Sequence, residues 1–282
     1  MLAYDQLLHV RSVVREYAWN DRDVMLYALA IGMGSDPLNA EQLPFVYEKS
    51  LKVVPTFATV AAWGSNPPHE AMKINYALVV QADQSVILHK PLPPAARVIA
   101  SGAVTGALDK GPKGAIIFRE VVLRDAVDGE KLATLTSAIV ARGDGGFGGP
   151  SEGGPVPHPV PNRQPDHRIE LATRPDQALI YRLCGDRNPI HADPEMARKA
   201  GFDRPILHGL GTYGITCHAV MAACTGYDPA RIASHQARFA APVFPGETLV
   251  VDLWQDGGVV SFEAKSKERD VAVLKNGKAV LR

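Results

Sequence analysis

At 282 residues, with 46% apolar and 21% charged residues, the chain can hold two domains and a well-buried core, and its composition is that of a globular protein. Thirty basic residues balance thirty acidic ones, which leaves no basic excess for electrostatic binding of nucleic acid and only weakly favours self-association. No apolar run approaches the roughly 20 residues of a membrane-spanning helix. The three cysteines, Cys184, Cys217 and Cys224, show no metal-ligand or disulfide-framework spacing and read as buried free thiols in a reducing compartment. The opening M-L-A-Y-D-Q-L-L-H-V-R lacks the pattern of a secretion signal, and the closing Val280-Leu281-Arg282 is not a peroxisomal address. A cytoplasmic protein without nucleic-acid or membrane partners is expected.

Residues 20–32, N-D-R-D-V-M-L-Y-A-L-A-I-G, predict a complete helix. Asn20 can cap it, Asp23 holds the capping-box position and Gly32 can end it, while Val24, Tyr27, Ala28 and Ile31 recur at helical spacing. An irregular stretch through Phe45-Val46-Tyr47-Glu48 leads to a second helical or mixed apolar segment, ending near Gly64. Residues 65–69 form a loop. From Tyr76 the pattern turns to strands, around 86–89, 97–104, 113–124 and 133–140. The Pro-rich corner Pro91-Leu92-Pro93-Pro94 and turns at Asp109-Lys110-Gly111 and Asp128-Gly129 separate them. Residues 143–165 are too rich in Gly and Pro for a helix or central strand and read as a linker between 1–142 and 166–282.

The second half repeats the first. Thr173, Asp176 and Gly185 bracket a helix as Asn20, Asp23 and Gly32 bracket the earlier one, each pair 153 residues apart. The corner Pro242-Val243-Phe244-Pro245 matches Pro91-Leu92-Pro93-Pro94 at an offset of 151. One repeat therefore reads as helix, irregular loop, longer helix, then antiparallel strands. In the second half the longer helix runs from about Gly209 to Cys224 and is apolar nearly all round, so it should be buried. A sheet wrapped round one buried helix satisfies this pattern. The expected class is α+β, a double hot-dog with two antiparallel sheets, each around a long helix, arranged as a pseudo-dimer.

Between the two helices of the second repeat lies C-G-D-R-N-P-I-H-A-D-P and then F-D-R-P-I-L-H-G-L-G. Asp186, Asn188, His191 and His208 fall within this short span. The matching part of the first half lacks the Asp and both histidines on either plausible register. Were Asp186 and His191 needed only to build the fold, the first copy would need them too. Asp186 and Asn188 also fit plain turn roles, His191 that of a satisfied half-buried histidine, and His208 that of a residue fixing the loop. Asp193 reads as the cap of a short helix through Ala200. An Asp and a neutral His can hold a water and pass its protons. The free N–H groups at the start of the Gly209 helix suit a carbonyl that gathers negative charge. Together these fit the addition of water to a double bond conjugated to a carbonyl.

At these residues, Y-R-L-C-G-D-R-N-P-I-H-A-D-P and G-F-D-R-P-I-L-H-G-L-G-T-Y-G, the chain closely resembles the hydratase 2 motif of MaoC-like (R)-specific enoyl-CoA hydratases. The resemblance extends to A-R-F-A-A-P-V-F-P-G-E-T-L and into the first half, at D-V-M-L-Y-A-L-A-I-G, F-V-Y-E, V-P-T-F-A and H-K-P-L-P-P. The two-domain form is similar to the hydratase 2 unit of peroxisomal multifunctional enzyme type 2. The resemblance implies hydration of trans-2-enoyl-CoA to (3R)-3-hydroxyacyl-CoA with no cofactor, the coenzyme A thioester being the substrate. It implies catalytic roles for Asp186 and His191 on the water, Asn188 in orienting them and the Gly209 N–H on the thioester carbonyl. It also implies substrate-binding roles for Glu48, Tyr27, His208 and Gly211, although Tyr27 equally reads as core. The first half, 1–142, is implied to be a degenerate copy that accommodates the acyl chain, with catalysis in 166–282. Competing readings are a hot-dog acyl-CoA thioesterase, a non-catalytic acyl-CoA binding module, and a MaoC-like dehydratase for a steroid side-chain, branched or carrier-protein-bound acyl thioester. Monomer and homodimer both stay open, because a double hot-dog is already a pseudo-dimer.

Overall fold

A computed structural model describes residues 2–282 of the chain. Residues 20–32 form the helix that their spacing predicts. It spans Asp21–Ala30, with the Asn20 side chain accepting from the Arg22 N–H and the Asp23 carboxylate accepting from the Asn20 N–H at 2.9 Å. The matching helix of the second half is shorter, Gln177–Tyr181, with one 3-10 turn after it, Arg182–Cys184. Neither of its expected N-terminal markers caps it: the Thr173 hydroxyl donates to the Glu247 carbonyl and Asp176 pairs with Arg174. The two helices pack against each other. Gln177 Nε2 donates to the Ala30 carbonyl at 2.9 Å, and the Tyr27 ring leans on Tyr181.

The strands are β1 (Arg15–Trp19), β2 (Val79–Leu88), β3 (Ala96–Asp109), β4 (Ala115–Asp125) and β5 (Lys131–Ala141), then β6 (His167–Ala172), β7 (Ile232–Phe239), β8 (Thr248–Asp256), β9 (Val259–Ser266) and β10 (Val271–Leu281). They pair in the order β1-β3-β4-β5-β2-β7-β10-β9-β8-β6. Read outwards from the centre, the two halves of this order are the same, so the repeat is one five-stranded unit built twice. The expected two sheets join into a single ten-stranded one. β2 and β7 pair edge to edge, from Asp83 opposite Arg238 to Ile87 opposite Ser234. Two edges that would otherwise carry unpaired backbone groups thereby satisfy each other.

The long buried helix is present in the second half, Gly209–Val220, and runs on into a π turn, Met221–Thr225. It is buried from Gly211 onward. Gly214 is where it meets the first helix: a Cβ there would sit 2.6 Å from Ile31 Cγ2 and 2.7 Å from the Tyr27 hydroxyl. The first half differs from the expected repeat. Its counterpart is a 3-10 turn, Pro55–Phe57, and the four residues Ala58–Ala61, broken off ahead of Gly64 and Pro67-Pro68. A helix of 12 residues reaches about 18 Å and one of four about 6 Å, so part of the first-half sheet has no helix across it.

Residues 143–165 contain no helix or strand, yet they are held to both halves. The Asp109 carboxylate accepts from the N–H groups of Gly146 and Gly148, while Trp254 Nε1 donates to the Arg163 carbonyl and Asn276 Nδ2 to that of His158. The three cysteines are free, two of them buried, and burial pushes the Cys217 thiol up to about 12. Among the described residues no helix is long and apolar enough to cross a membrane.

Candidate active site

The loop after Cys184 is built from its own polar side chains. Asp186 Oδ1 accepts from the Asn188 N–H at 3.0 Å, and Asn188 Oδ1 accepts from the Ile190 N–H at 3.2 Å. These two Asx turns, with Pro189 leading a 3-10 turn over Pro189–His191, turn His191 inward until only 6% of it is exposed. Gly185 admits this path at φ +137°, with its α-carbon so close to the first half that a Cβ would lie 2.6 Å from Trp63 Cγ. Asp193 caps Pro194–Lys199, accepting from the Glu195 and Met196 N–H groups, as its position predicts.

His191 Nδ1 lies 2.8 Å from the Ile206 carbonyl. A carbonyl only accepts, so Nδ1 carries the hydrogen, and the lone pair of a neutral ring is on Nε2. Nε2 faces Asp186 Oδ2 at 4.0 Å, too far for a direct hydrogen bond. Burial lowers the His191 pKa below its usual value, with Arg182 adding to that, against the opposing pull of the Ile206 carbonyl and Asp186. His208 stacks on His191 with ring centroids 3.6 Å apart, and its Nε2 donates to the Asp186 carbonyl at 3.2 Å. Burial, and then the neighbouring His191, push His208 down to about 3. Both rings are therefore neutral, and His208 braces the backbone of one member of the pair and the ring of the other.

The helix beginning at Gly209 follows directly. Its first N–H groups have no acceptor within the helix, and the macrodipole makes that end positive. Gly209 is exposed, and the next residue, Leu210, lines a cavity of about 380 Å³ together with Asp186. The rest of the wall comes from the first half, from the loop at Trp63–Tyr76 and from the inward face of β2, β4 and β5. The cavity occupies the stretch of sheet that the shortened helix leaves uncovered.

The structure thus brings Asp186, Asn188, His191, His208 and Gly209 together. Of these Asp186 lines the cavity, and the other expected residues stand apart from the cluster. Gly211 is buried, a Cβ on it coming 3.2 Å from the Tyr181 ring. Tyr27 is 0% exposed, in the core between Phe57 and Tyr181. Glu48 is exposed to solvent beyond Leu43–Val46 and does not line the cavity. Donor atoms of Asp186, His191 and His208 lie within 4.8 Å of one another, a set of types that a divalent metal accepts. Two of the four ring nitrogens, His191 Nδ1 and His208 Nε2, are already committed to carbonyls.

One cavity residue escaped the reading of the sequence. Arg119 is only 6% exposed, yet it is an arginine on the inward face of β4 and it lines the cavity. The signal was there: in A-I-I-F-R-E-V-V-L, Arg119 takes the place of an apolar residue in strict alternation with Ala115, Ile117, Val121 and Leu123.

Comparison with known proteins agrees with this architecture. The family described as "MFE-2 hydratase 2 N-terminal domain" matches residues 17–143, and "MaoC like domain" matches residues 157–277. Enoyl-CoA hydratase ChsH3 of Mycobacterium tuberculosis is 43% identical over 93% of this chain and 92% of its own length. The peroxisomal enoyl-CoA hydratase 2 of Arabidopsis thaliana is 38% identical over 96% of this chain and 93% of its own. The crystal structure of a MaoC-like dehydratase from Phytophthora capsici superposes with a TM-score of 0.88 at 32% identity, covering 99% of this chain and 98% of that one. With one half matching each family, and relatives aligned over nearly their full lengths, the chain belongs to the two-domain MaoC-like enoyl-CoA hydratase 2 family.

Proposed function

We propose that the protein hydrates trans-2-enoyl-CoA to (3R)-3-hydroxyacyl-CoA, reversibly, with Asp186 and His191 acting on the water. The observation that carries this is the 4.0 Å gap between Asp186 Oδ2 and His191 Nε2. Two acceptor atoms at that separation leave room for one water oxygen at ordinary hydrogen-bond distance from both. The water oxygen adds to C3, one of its protons passes to the pair, and a proton from the pair reaches C2. The negative charge that builds on the thioester oxygen meanwhile meets the Gly209 N–H at the positive end of the helix. Asn188 holds the turn that aims both side chains, and His208 holds it from behind. We assign the Asp186, His191 and His208 cluster to water and not to a metal. The reaction needs no cofactor, since coenzyme A belongs to the substrate and water is the co-reactant.

In this reading residues 166–282 carry the chemistry, 1–142 receive the acyl chain, and 143–165 join them. One chain supplies both sides of the site, so a homodimer is not required for activity. An acyl-CoA is the small-molecule partner, and the cytoplasm is the proposed location.

The test uses crotonyl-CoA, following the conjugated enoyl absorbance and free thiol together. Loss of absorbance without thiol, with (3R) product on chiral separation, is expected; thiol release would make the protein a thioesterase instead. Asp186→Asn and His191→Ala are each expected to lower kcat by about 10²–10⁴, the range for a positioned acid or base. Circular dichroism should stay native, and a near wild-type rate in either variant would remove that residue from the mechanism.

A further inference from the structure

The floor of the cavity carries a charge that the hydration chemistry does not use. Arg119 on β4 lies opposite Ser137 on β5, which lies opposite Gln84 on β2, so the three form one row across the sheet. The neighbouring row on one side is Val86, Leu135 and Val121, and the next on the other side is Gln81, Ile139 and Ile117. A polar row is thus set between Val86, Leu135 and Val121 on one side and Ile139 and Ile117 on the other, with Gln81 donating to Gln84 Oε1 at 2.9 Å. The second half shows what that row is when it only builds the fold. At the 151-residue offset of the two Pro-rich corners His235 corresponds to Gln84, and its row continues through Ala279 to Val260. All three are 0% exposed beneath the long helix, where His235 Nε2 meets the Thr216 hydroxyl at 3.1 Å. The place of Arg119 is taken there by a valine.

Arg119 is also poorly partnered for a buried guanidinium. Nη2 donates to Ser137 Oγ at 3.1 Å, while Nε is buried without an acceptor. Among the described residues no carboxylate lies within 4.0 Å of it. The carboxylate that attracts it most, Asp83, instead accepts from the Ala138 N–H at 2.7 Å. Burial pulls the guanidinium down to about 10, so it stays charged at neutral pH. A buried, incompletely paired charge is costly, and such groups persist where a ligand completes them.

We infer that the acyl group handled by this protein bears a hydrogen-bond-accepting oxygen, a carbonyl or a carboxylate, remote from the thioester, and that Arg119 receives it. The inference rests on the hydratase reading, which places the thioester at Asp186 and Gly209 and sends the acyl chain into the same cavity that Arg119 lines. Ser137 holds the guanidinium against the sheet, with Gln84 beyond it in the same row, making this subsite a property of the first half.

The test compares trans-2-enoyl-CoAs of matched length in three forms: a plain methyl end, a methyl-ketone end and a carboxylate end, each over a graded series of lengths. At the best length the wild-type kcat/KM for an oxygen-bearing chain should exceed that of its plain analogue by roughly 10- to 100-fold, the worth of one hydrogen bond to a charged group. A carboxylate ahead of the ketone identifies an anionic ligand, and parity identifies a neutral acceptor. In Arg119→Met the ratio within that variant should fall to about one. A wild-type enzyme that prefers the plain chain at every length overturns the inference without any variant. So does an oxygen preference that survives unchanged in Arg119→Met. Failure of the wild type to hydrate any member, crotonyl-CoA included, would instead count against the hydratase reading itself.

Discussion

His191 presents a basic nitrogen to Asp186 because its other nitrogen is held by the Ile206 carbonyl, fifteen residues along the chain. The sequence named the side chains of this pair, since the first repeat does without them, and it named Asn188 and Gly209 with them. It named His208 as a residue fixing the loop but not its stacking on the His191 ring, and it did not disclose the Ile206 carbonyl; both reach the pair only when the chain returns from Pro194–Lys199. Glu48 separates resemblance from geometry at this scale. Family likeness implies a part in activity, whereas the side chain is exposed and away from the cavity wall. Glu48→Ala is accordingly expected to change kcat/KM by less than about twofold, in line with the small effects of exposed substitutions. A loss of an order of magnitude on any acyl length would restore it to the substrate path.

Among the elements, the decisive difference between the halves is helix length. Each repeat opens on an edge strand that the spacing did not reveal, Arg15–Trp19 or His167–Ala172, and then runs from helix to strands, an order that was legible from spacing and turn residues. The length of the second helix was legible only where the apolar pattern ran unbroken from Gly209; in the first half Pro55, Gly64 and Pro67 interrupt it, and the interruption leaves the space where the cavity lies. The long helix depends in turn on its small residues. Gly214 lies against Ile31 and the Tyr27 hydroxyl, two side chains that are themselves buried and have no room to retreat. Gly214→Ala is expected to destabilise the fold by about 1–3 kcal/mol through overpacking, despite alanine's better helix propensity. Urea unfolding of the two proteins checks this, and an unchanged or higher midpoint would mean the helices part without strain.

For the molecule as a whole, three histidines, His208 of the site and two more in the core, are buried away from water. His208, His218 and His235 are held neutral by burial, which brings them to about 3, about 4 and about 3. The unfolded chain takes up protons at these side chains below about pH 6.5, and the folded chain does not. Protonation therefore favours the unfolded state, and stability falls as pH drops from about 6.5 towards 4. Each histidine contributes a slope of ~1.4 kcal/mol per pH unit in that window. Thermal melts should show a Tm several degrees lower at pH 5 than at pH 7, and a flat profile would mean that these rings charge without unfolding.

The segment 143–165, fastened at Asp109 on one side and at Trp254 and Asn276 on the other, gives the β2–β7 seam a further property. A seam between separate subunits opens as protein is diluted. Here each half carries its mate on a tether, at an effective concentration on the order of millimolar however few molecules are present. The half proposed to receive the acyl chain and the pair proposed to act on it are thus bound to one fate in a single molecule. If catalysis resides in 166–282 as proposed, the first copy can vary its pocket without ever having to find a partner again.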